Sequence, residues 1–187
     1  MLFRSKSLFI KAFLEDGAKV VLLTRPRRWG KSLNMDMLGR FLAIEVDAQG
    51  VPLPQGACLN HKLFAGGEVD VGLGSTKLLK PLKISNCPSS MKFQGQFPVI
   101  SLGFKDVKGS AYEEIEAGVK AQIIQLYDQH VYLQQQAWLT NNQRNQLASY
   151  LNGKLSAVEI KVSLGFLSEL LYKHWGRSEE RRVGKEC

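Results

Sequence analysis

The chain has 187 residues, of which 44% are hydrophobic and 22% charged, and its formal net charge is +8 at pH 7. This composition is that of an ordinary soluble globular protein without a signal-peptide core, and no apolar run approaches the ~18 residues of a membrane span. Three widely spaced cysteines argue against a disulfide framework or a zinc site, so we expect a cytoplasmic protein. The net charge favours polyanions, which include nucleotides, nucleic acid and a membrane surface, and of these we expect no membrane partner.

The first elements follow each other in the order strand, turn, helix. Residues 7–16 predict a short helix with Ser7 as its N-cap, and Gly17 is a natural stop. The run KVVLLT, 19–24, predicts a strand covered on both faces, as in a parallel sheet. Residues 32–42 have helical spacing of apolar side chains.

The turn between that strand and helix reads RPRRWGKS, residues 25–32. Gly30, Lys31 and Ser32 supply the closing half of a phosphate-binding loop, which needs main-chain N–H groups, a lysine for the β- and γ-phosphates and a hydroxyl for Mg²⁺. Arg25 stands where such a loop normally has its first glycine, and we expect Pro26 to fix the turn instead. The alternative is a solvated basic turn.

Residues 46–96 change character, because Gly, Pro, Ser and Asn are frequent and the periodicity is weak. We expect an irregular insertion that contains a short helix near residues 60–64 and a hairpin spanning 69–84. Beyond it, FPVISLGF at 97–104 predicts a second buried strand. Asp106 follows that strand and is either a water-positioning or metal-binding residue or part of a turn.

Two capping boxes predict the helices of the C-terminal half, Ser110–Glu113 and Ser156–Glu159, and Gly176 closes the second helix. Residues 134–152 predict a loop and a short helix. His61, His130 and His174 do not have metal-ligand spacing. The predicted buried faces are Tyr112, Ile115, Val119, Ile123 and Leu126 in the first helix, and Ile160, Leu164, Leu167, Leu171 and Trp175 in the second.

The alternation of these elements predicts an α/β three-layer fold with a parallel sheet. Only two central strands are predicted, which is too few to cover the helices, so we expect the fold to be incomplete and the chain to be truncated.

Four blocks of the sequence resemble the bacterial predicted AAA-ATPase-like family, whose phosphate loop reads RPRR-aromatic-GKS in place of a full Walker A motif. The blocks are FIKAFLEDGAKVVLLTRPRRWGKSLNMDML, KLF at 62–64, FPVISLGFKDVKGSAYEEIE at 97–116 and LGFLSELLYKHWG at 164–176. The resemblance implies an ATPase core with ATP and Mg²⁺ as cofactors, often followed by a nuclease-like domain that would add a nucleic-acid partner. We expect that domain to lie outside this sequence.

The resemblance also implies the roles of the loop residues. Lys31 would contact the β- and γ-phosphates as the catalytic residue, and Ser32 would ligate Mg²⁺. The residue type at Trp29, independently of the resemblance, suits stacking on an adenine base or on nucleic acid, and the alternative is packing beneath the loop. The nucleotide-binding set is Arg25, Pro26, Arg27, Arg28, Trp29, Gly30, Lys31 and Ser32.

The family's acidic Walker B strand would begin after Gly176. We therefore expect residues 1–177 to be the N-terminal part of the ATPase-like domain, and 178–187 to be a non-native tail whose Cys187 has no functional role. Two other functions stay open: a basic nucleic-acid-binding module that uses the cluster from Arg25 to Lys31, or a fragment without function.

Overall fold

The computed structural model describes residues 6–24, 26, 28–70, 72, 74–153 and 155–176. They fall into two units, the first comprising Met1–Asp47 and Val51–Val99 and the second Ala48–Gly50 and Ile100–Cys187. The predicted tail, 178–187, lies outside the described residues. No helix within the described ranges is both long and apolar enough to cross a membrane.

The first unit is built from short helices and one hairpin, whose strands pair antiparallel with Gly67 opposite Leu79. The helix expected near residues 60–64 is confirmed, and the expected hairpin is present with an earlier start and end. The elements are α1 (Leu8–Glu15), α2 (Lys31–Leu42), α3 (Leu59–Ala65), β1 (Gly67–Asp70), β2 (Thr76–Leu79), a 3-10 turn (Lys83–Asn86) and α4 (Pro88–Met91).

The core of the first unit joins α1, α2, α3 and the 3-10 turn. Phe41 and Phe64 meet edge to face, with ring centroids 5.1 Å apart. Ser7 does not cap α1, since its buried hydroxyl oxygen instead accepts the N–H of Ile84 at 3.3 Å. The start of α1 is thus tied to the core, whose buried members are Ile10, Met37, Leu38, Phe41, Phe64 and Ile84.

The predicted parallel-sheet three-layer fold is wrong. Residues 19–24 form no strand, and Val20 and Leu22 are 87% and 83% exposed. The segment 97–104 makes a single parallel bridge, between Phe97 and Ala43. An apolar β-branched run becomes a strand only where neighbouring strands take its N–H and C=O groups and cover its faces. Among the described residues, only the hairpin and two isolated bridges pair in this way.

The second unit is helical, and only one of its two predicted capping boxes is present. The Ser156–Glu159 capping box is confirmed in both halves, and Gly176 ends its helix in the left-handed conformation. The first box is wrong, because Ser110 N–H donates to the carboxylate of Glu114 at 2.8 Å. The elements are α5 (Tyr112–Asp128), a 3-10 turn (Val131–Gln135), α6 (Asn141–Leu151) and α7 (Ala157–Trp175).

The rings of Tyr127 and Tyr150 stack at the centre of this unit, with centroids 4.3 Å apart. The Tyr127 hydroxyl donates to the carbonyl of Ser163 at 2.7 Å, and burial raises the pKa of Tyr127. Leu164, predicted to be buried, is 42% exposed. The helix α7 has apolar residues on more than one side, so the periodicity of its sequence did not identify the buried face. The buried residues of α7 are Ser163, Phe166, Leu167, Leu170 and Leu171.

Candidate functional site

The candidate loop ends where α2 begins. Gly30 is the N-cap of this helix, with φ 74° and ψ 29°, a left-handed conformation that glycine adopts without steric cost. Its carbonyl accepts the N–H of Asn34 at 2.9 Å, which is the first helical hydrogen bond. The N–H groups of the first turn therefore stand at the loop, in the arrangement from which helices bind anions.

Arg28 has a φ of 66° and is the only non-glycine residue with positive φ among those that the structure describes. This conformation costs an L-residue about 1–2 kcal/mol. Strained backbone of this kind concentrates at ligand-binding sites, where the surroundings hold it in place. The strain at Arg28 thus supports the prediction that the loop has a function beyond joining two elements.

Two lysines contact the carbonyl groups of the loop. Lys31 Nζ donates to the carbonyl oxygen of Pro26 at 3.4 Å, and Lys6 Nζ donates to that of Trp29 at 3.3 Å. A Cβ atom on Gly30 would lie 3.2 Å from the same Lys6 Nζ. Lys6 was missed by the sequence analysis, because nothing in its spacing links it to a loop more than twenty residues away.

The other predicted loop residues are exposed where the structure describes them. Pro26, Arg28 and Ser32 face solvent, and Trp29 is 59% exposed. The alternative in which Trp29 packs beneath the loop is therefore wrong, and its indole ring is accessible to a base. Two further members of the predicted set, Arg25 and Arg27, lie outside the described residues.

The electrostatics of the loop favour an anion. The N-terminus of α2 carries the positive end of the helix dipole, and its first turn reads Lys-Ser-Leu-Asn. The ion pairs found among the described residues all join side chains four residues apart, and none includes Lys6 or Arg28. The ammonium group of Lys6 and the N-terminus of α2 thus meet at Gly30.

The exposed hydroxyl of Ser32 fits Mg²⁺, since this ion keeps several waters and uses only one or two protein oxygens together with substrate phosphates. Within the described part of the chain, no group of three His, Cys, Asp or Glu side chains could hold a metal ion. Asp106 lies in an exposed turn of the second unit, in agreement with the turn interpretation.

A separate polar cluster lines a cavity of about 150 Å³ in the first unit. His61 Nδ1 lies 3.0 Å from Gln94 Oε1, the Gln94 amide donates to Asn60 O at 3.2 Å, and Asn60 N–H donates to Glu45 at 2.8 Å. Burial, together with the charge of Glu45, raises the pKa of the Cys58 thiol. The thiol therefore stays protonated at neutral pH, and these groups form a structural network.

The other two histidines lie in an aromatic cluster of the second unit. His130 Nδ1 is 3.2 Å from the Tyr132 hydroxyl, and His174 Nε2 is 3.2 Å from the carbonyl oxygen of Gly50. Burial lowers the pKa of His130 to about 4, so its ring is neutral at physiological pH. Its Nε2 atom is buried without a hydrogen-bond partner among the described residues.

The chain matches a family of known proteins over part of its length. The AAA-ATPase-like family, described as "Predicted AAA-ATPase", matches residues 1–55 of this chain. The resemblance is thus confirmed for the segment that contains RPRRWGKS, while the blocks at 62–64, 97–116 and 164–176 lie outside the matched residues. No curated protein and no solved structure matches the chain.

Proposed function

We propose that the segment matching the predicted AAA-ATPase family, residues 1–55, contains the phosphate-binding loop of an ATP site. The observation that carries the proposal is the left-handed Gly30 at the N-terminus of α2, with Lys31 as the next residue. A family of predicted ATPases uses nucleotides in general; that the nucleotide is ATP, bound with Mg²⁺ and hydrolysed by the whole protein, is the finer part of the proposal.

Each loop residue has a role in this proposal. The N–H groups from Arg28 to Ser32 line the anion site, and Lys31 neutralises the β- and γ-phosphates. Ser32 offers its hydroxyl to Mg²⁺. Pro26, with Arg25 and Arg27 beside it, forms the basic first half of the loop. Catalysis of phosphoryl transfer rests on positioning and charge stabilisation, which such a loop supplies.

The test is calorimetric titration of the purified chain with Mg-ATP. Lys31→Ala should weaken binding about tenfold or more, because a charge-assisted hydrogen bond is worth about 1.5–3 kcal/mol. Arg40→Ala is the matched control, since it removes one positive charge from the last turn of the same helix, where Arg40 pairs with Asp36 at 2.9 Å. Equal affinities of the wild type and Lys31→Ala would refute the proposed role of the loop.

The exposure of Trp29 favours one further candidate, a single-stranded nucleic-acid site. An exposed aromatic ring within a basic loop is the combination on which successive bases stack while cations contact the phosphates. In this reading Arg25, Arg27, Arg28 and Lys31 contact the nucleic-acid backbone.

Salt dependence separates the two candidates. Binding of a single-stranded oligonucleotide through several phosphates should weaken steeply between low and physiological salt, because counterions are released. Trp29→Ala should then reduce oligonucleotide affinity about fivefold or more, in line with the stacking energy of a base on an aromatic ring. Affinity for Mg-ATP together with no retention on the oligonucleotide at physiological salt would exclude the nucleic-acid site.

A further inference from the structure

A second lysine reaches the candidate loop from the segment that precedes α1. Lys6 Nζ donates to the carbonyl oxygen of Trp29 at 3.3 Å, across 23 residues of sequence. The same atom would lie 3.2 Å from a Cβ atom on Gly30. The ammonium group therefore lies beside the residue that caps α2, on the side left open by the missing side chain.

The backbone that carries Lys6 is fixed to the core of the first unit. The next residue, Ser7, is fully buried, and its hydroxyl oxygen accepts the N–H of Ile84 at 3.3 Å. Ile10, one turn further along, is also fully buried and belongs to the core. The backbone from which the Lys6 side chain extends is thus held in place by packing.

Among the described residues, the Lys6 ammonium group makes one hydrogen bond, to the Trp29 carbonyl. An ammonium group has three donors, and the carbonyl of Trp29 takes one of them. The ion pairs within the described residues do not include Lys6. A cation beside the positive end of a helix is unfavourable by itself, and a bound anion converts this repulsion into attraction.

We propose that Lys6 is a second phosphate-contacting lysine of the loop, which holds the Trp29 carbonyl with one donor and offers the others to the polyphosphate of a nucleotide bound beside Gly30. The inference rests on the proposed nucleotide function and adds a residue from outside the RPRRWGKS segment. Lys6 acts on the phosphates, so its contribution belongs to the polyphosphate and not to the base.

The test compares Mg-ATP with inorganic tripolyphosphate, each titrated against the full chain by displacement of a fluorescent ATP analogue. Lys6→Met keeps the length of the side chain and removes its charge, and it should weaken both ligands about tenfold or more. Lys6→Arg keeps the charge and should restore affinity to within about threefold of the wild type. Lys11→Met is the matched control, because Lys11 lies on α1 and pairs with Glu15 at 3.8 Å.

The outcomes separate this inference from the proposed function. Wild-type affinity in Lys6→Met, while Lys31→Ala loses binding, would overturn the role of Lys6 and leave the ATP site standing. Loss of Mg-ATP affinity with unchanged tripolyphosphate affinity would also overturn it. A wild-type chain that binds neither ligand would refute both. If the thermal unfolding curve shows that Lys6→Met is not folded, Lys6→Gln takes its place in the same comparison.

Discussion

Replacing Gly50 by alanine should destabilise the second unit more than any backbone strain alone explains. Gly50 has a φ of 83°, and a Cβ atom there would lie 2.4 Å from Cδ2 of Tyr132 and 3.0 Å from its Cγ. Tyr132 is only 5% exposed, and the Gly50 carbonyl lies 3.2 Å from His174 Nε2. Neither the tyrosine ring nor the Gly50 backbone can therefore move away without disturbing other contacts. Left-handed strain of about 1–2 kcal/mol and overpacking of about 1–3 kcal/mol together predict a loss of about 2–5 kcal/mol.

The assay is urea unfolding followed by circular dichroism, with Gly176→Ala as the matched control in the same unit. Gly176 also has a positive φ, 58°, but a Cβ atom there would meet nothing within 4 Å. Gly176→Ala should therefore lower the unfolding free energy only by the backbone strain, about 1–2 kcal/mol. The reasoning is refuted if Gly50→Ala costs no more than Gly176→Ala, because the contact with Tyr132 would then contribute nothing.

Three further changes test local features. Gly30→Ala should lower the unfolding free energy by about 1–2 kcal/mol, because φ is 74°. It should also lower the Mg-ATP affinity measured by calorimetry, because the new Cβ displaces Lys6. Because burial lowers the pKa of His130 from 6.5 to about 4, the unfolded chain takes up this proton first. The unfolding free energy therefore carries no penalty from His130 above pH 6.5 and falls by about 3 kcal/mol as the pH approaches 4. The measurement is the difference in unfolding free energy between the wild type and a His130→Gln variant at each pH. Ser156→Ala should cost about 1 kcal/mol in urea unfolding, because the Ser156 hydroxyl caps α7.

Each of these predictions has a control that separates it from a general loss of stability. Gly17→Ala should leave ATP affinity unchanged, since a Cβ atom there meets nothing within 4 Å and its φ is not positive. An identical pH dependence of the wild type and His130→Gln would show that His130 is not buried as a neutral ring. Ser110→Ala should change stability by less than about 0.5 kcal/mol, because the Ser110 side chain does not cap α5.

The helix ends and the loop were predictable because their signals lie within a few residues. Ser156 and Glu159 bond to each other's backbone, and Gly176 adopts the left-handed conformation that ends a helix, whatever the rest of the chain does. Gly30 and Lys31 are likewise neighbours, so their place at the start of α2 followed from the sequence alone. Such local features need no tertiary partner.

The absence of the two predicted central strands among the described residues and the position of Lys6 were not predictable, because both depend on residues far away in the sequence. The run around Val20 has the composition of a buried strand, yet its state depends on neighbours that the described residues do not supply. The contact of Lys6 with Trp29 depends on how Ser7 packs against Ile84, which lies 77 residues further along the chain. A pattern read over a short window does not contain that information.

The exposed run at 20–22 has a consequence for how this chain behaves in concentrated solution. Val20, Val21 and Leu22 are apolar, and the two valines also have high β-propensity. In chain order, the three residues are 87%, 37% and 83% exposed. Their main-chain groups make no hydrogen bonds with other described residues. Two copies that meet at this run would satisfy one another's N–H and C=O groups and bury the apolar side chains together. Self-association through residues 20–22 should therefore rise with protein concentration. It sets the highest protein concentration at which the nucleotide titrations are carried out.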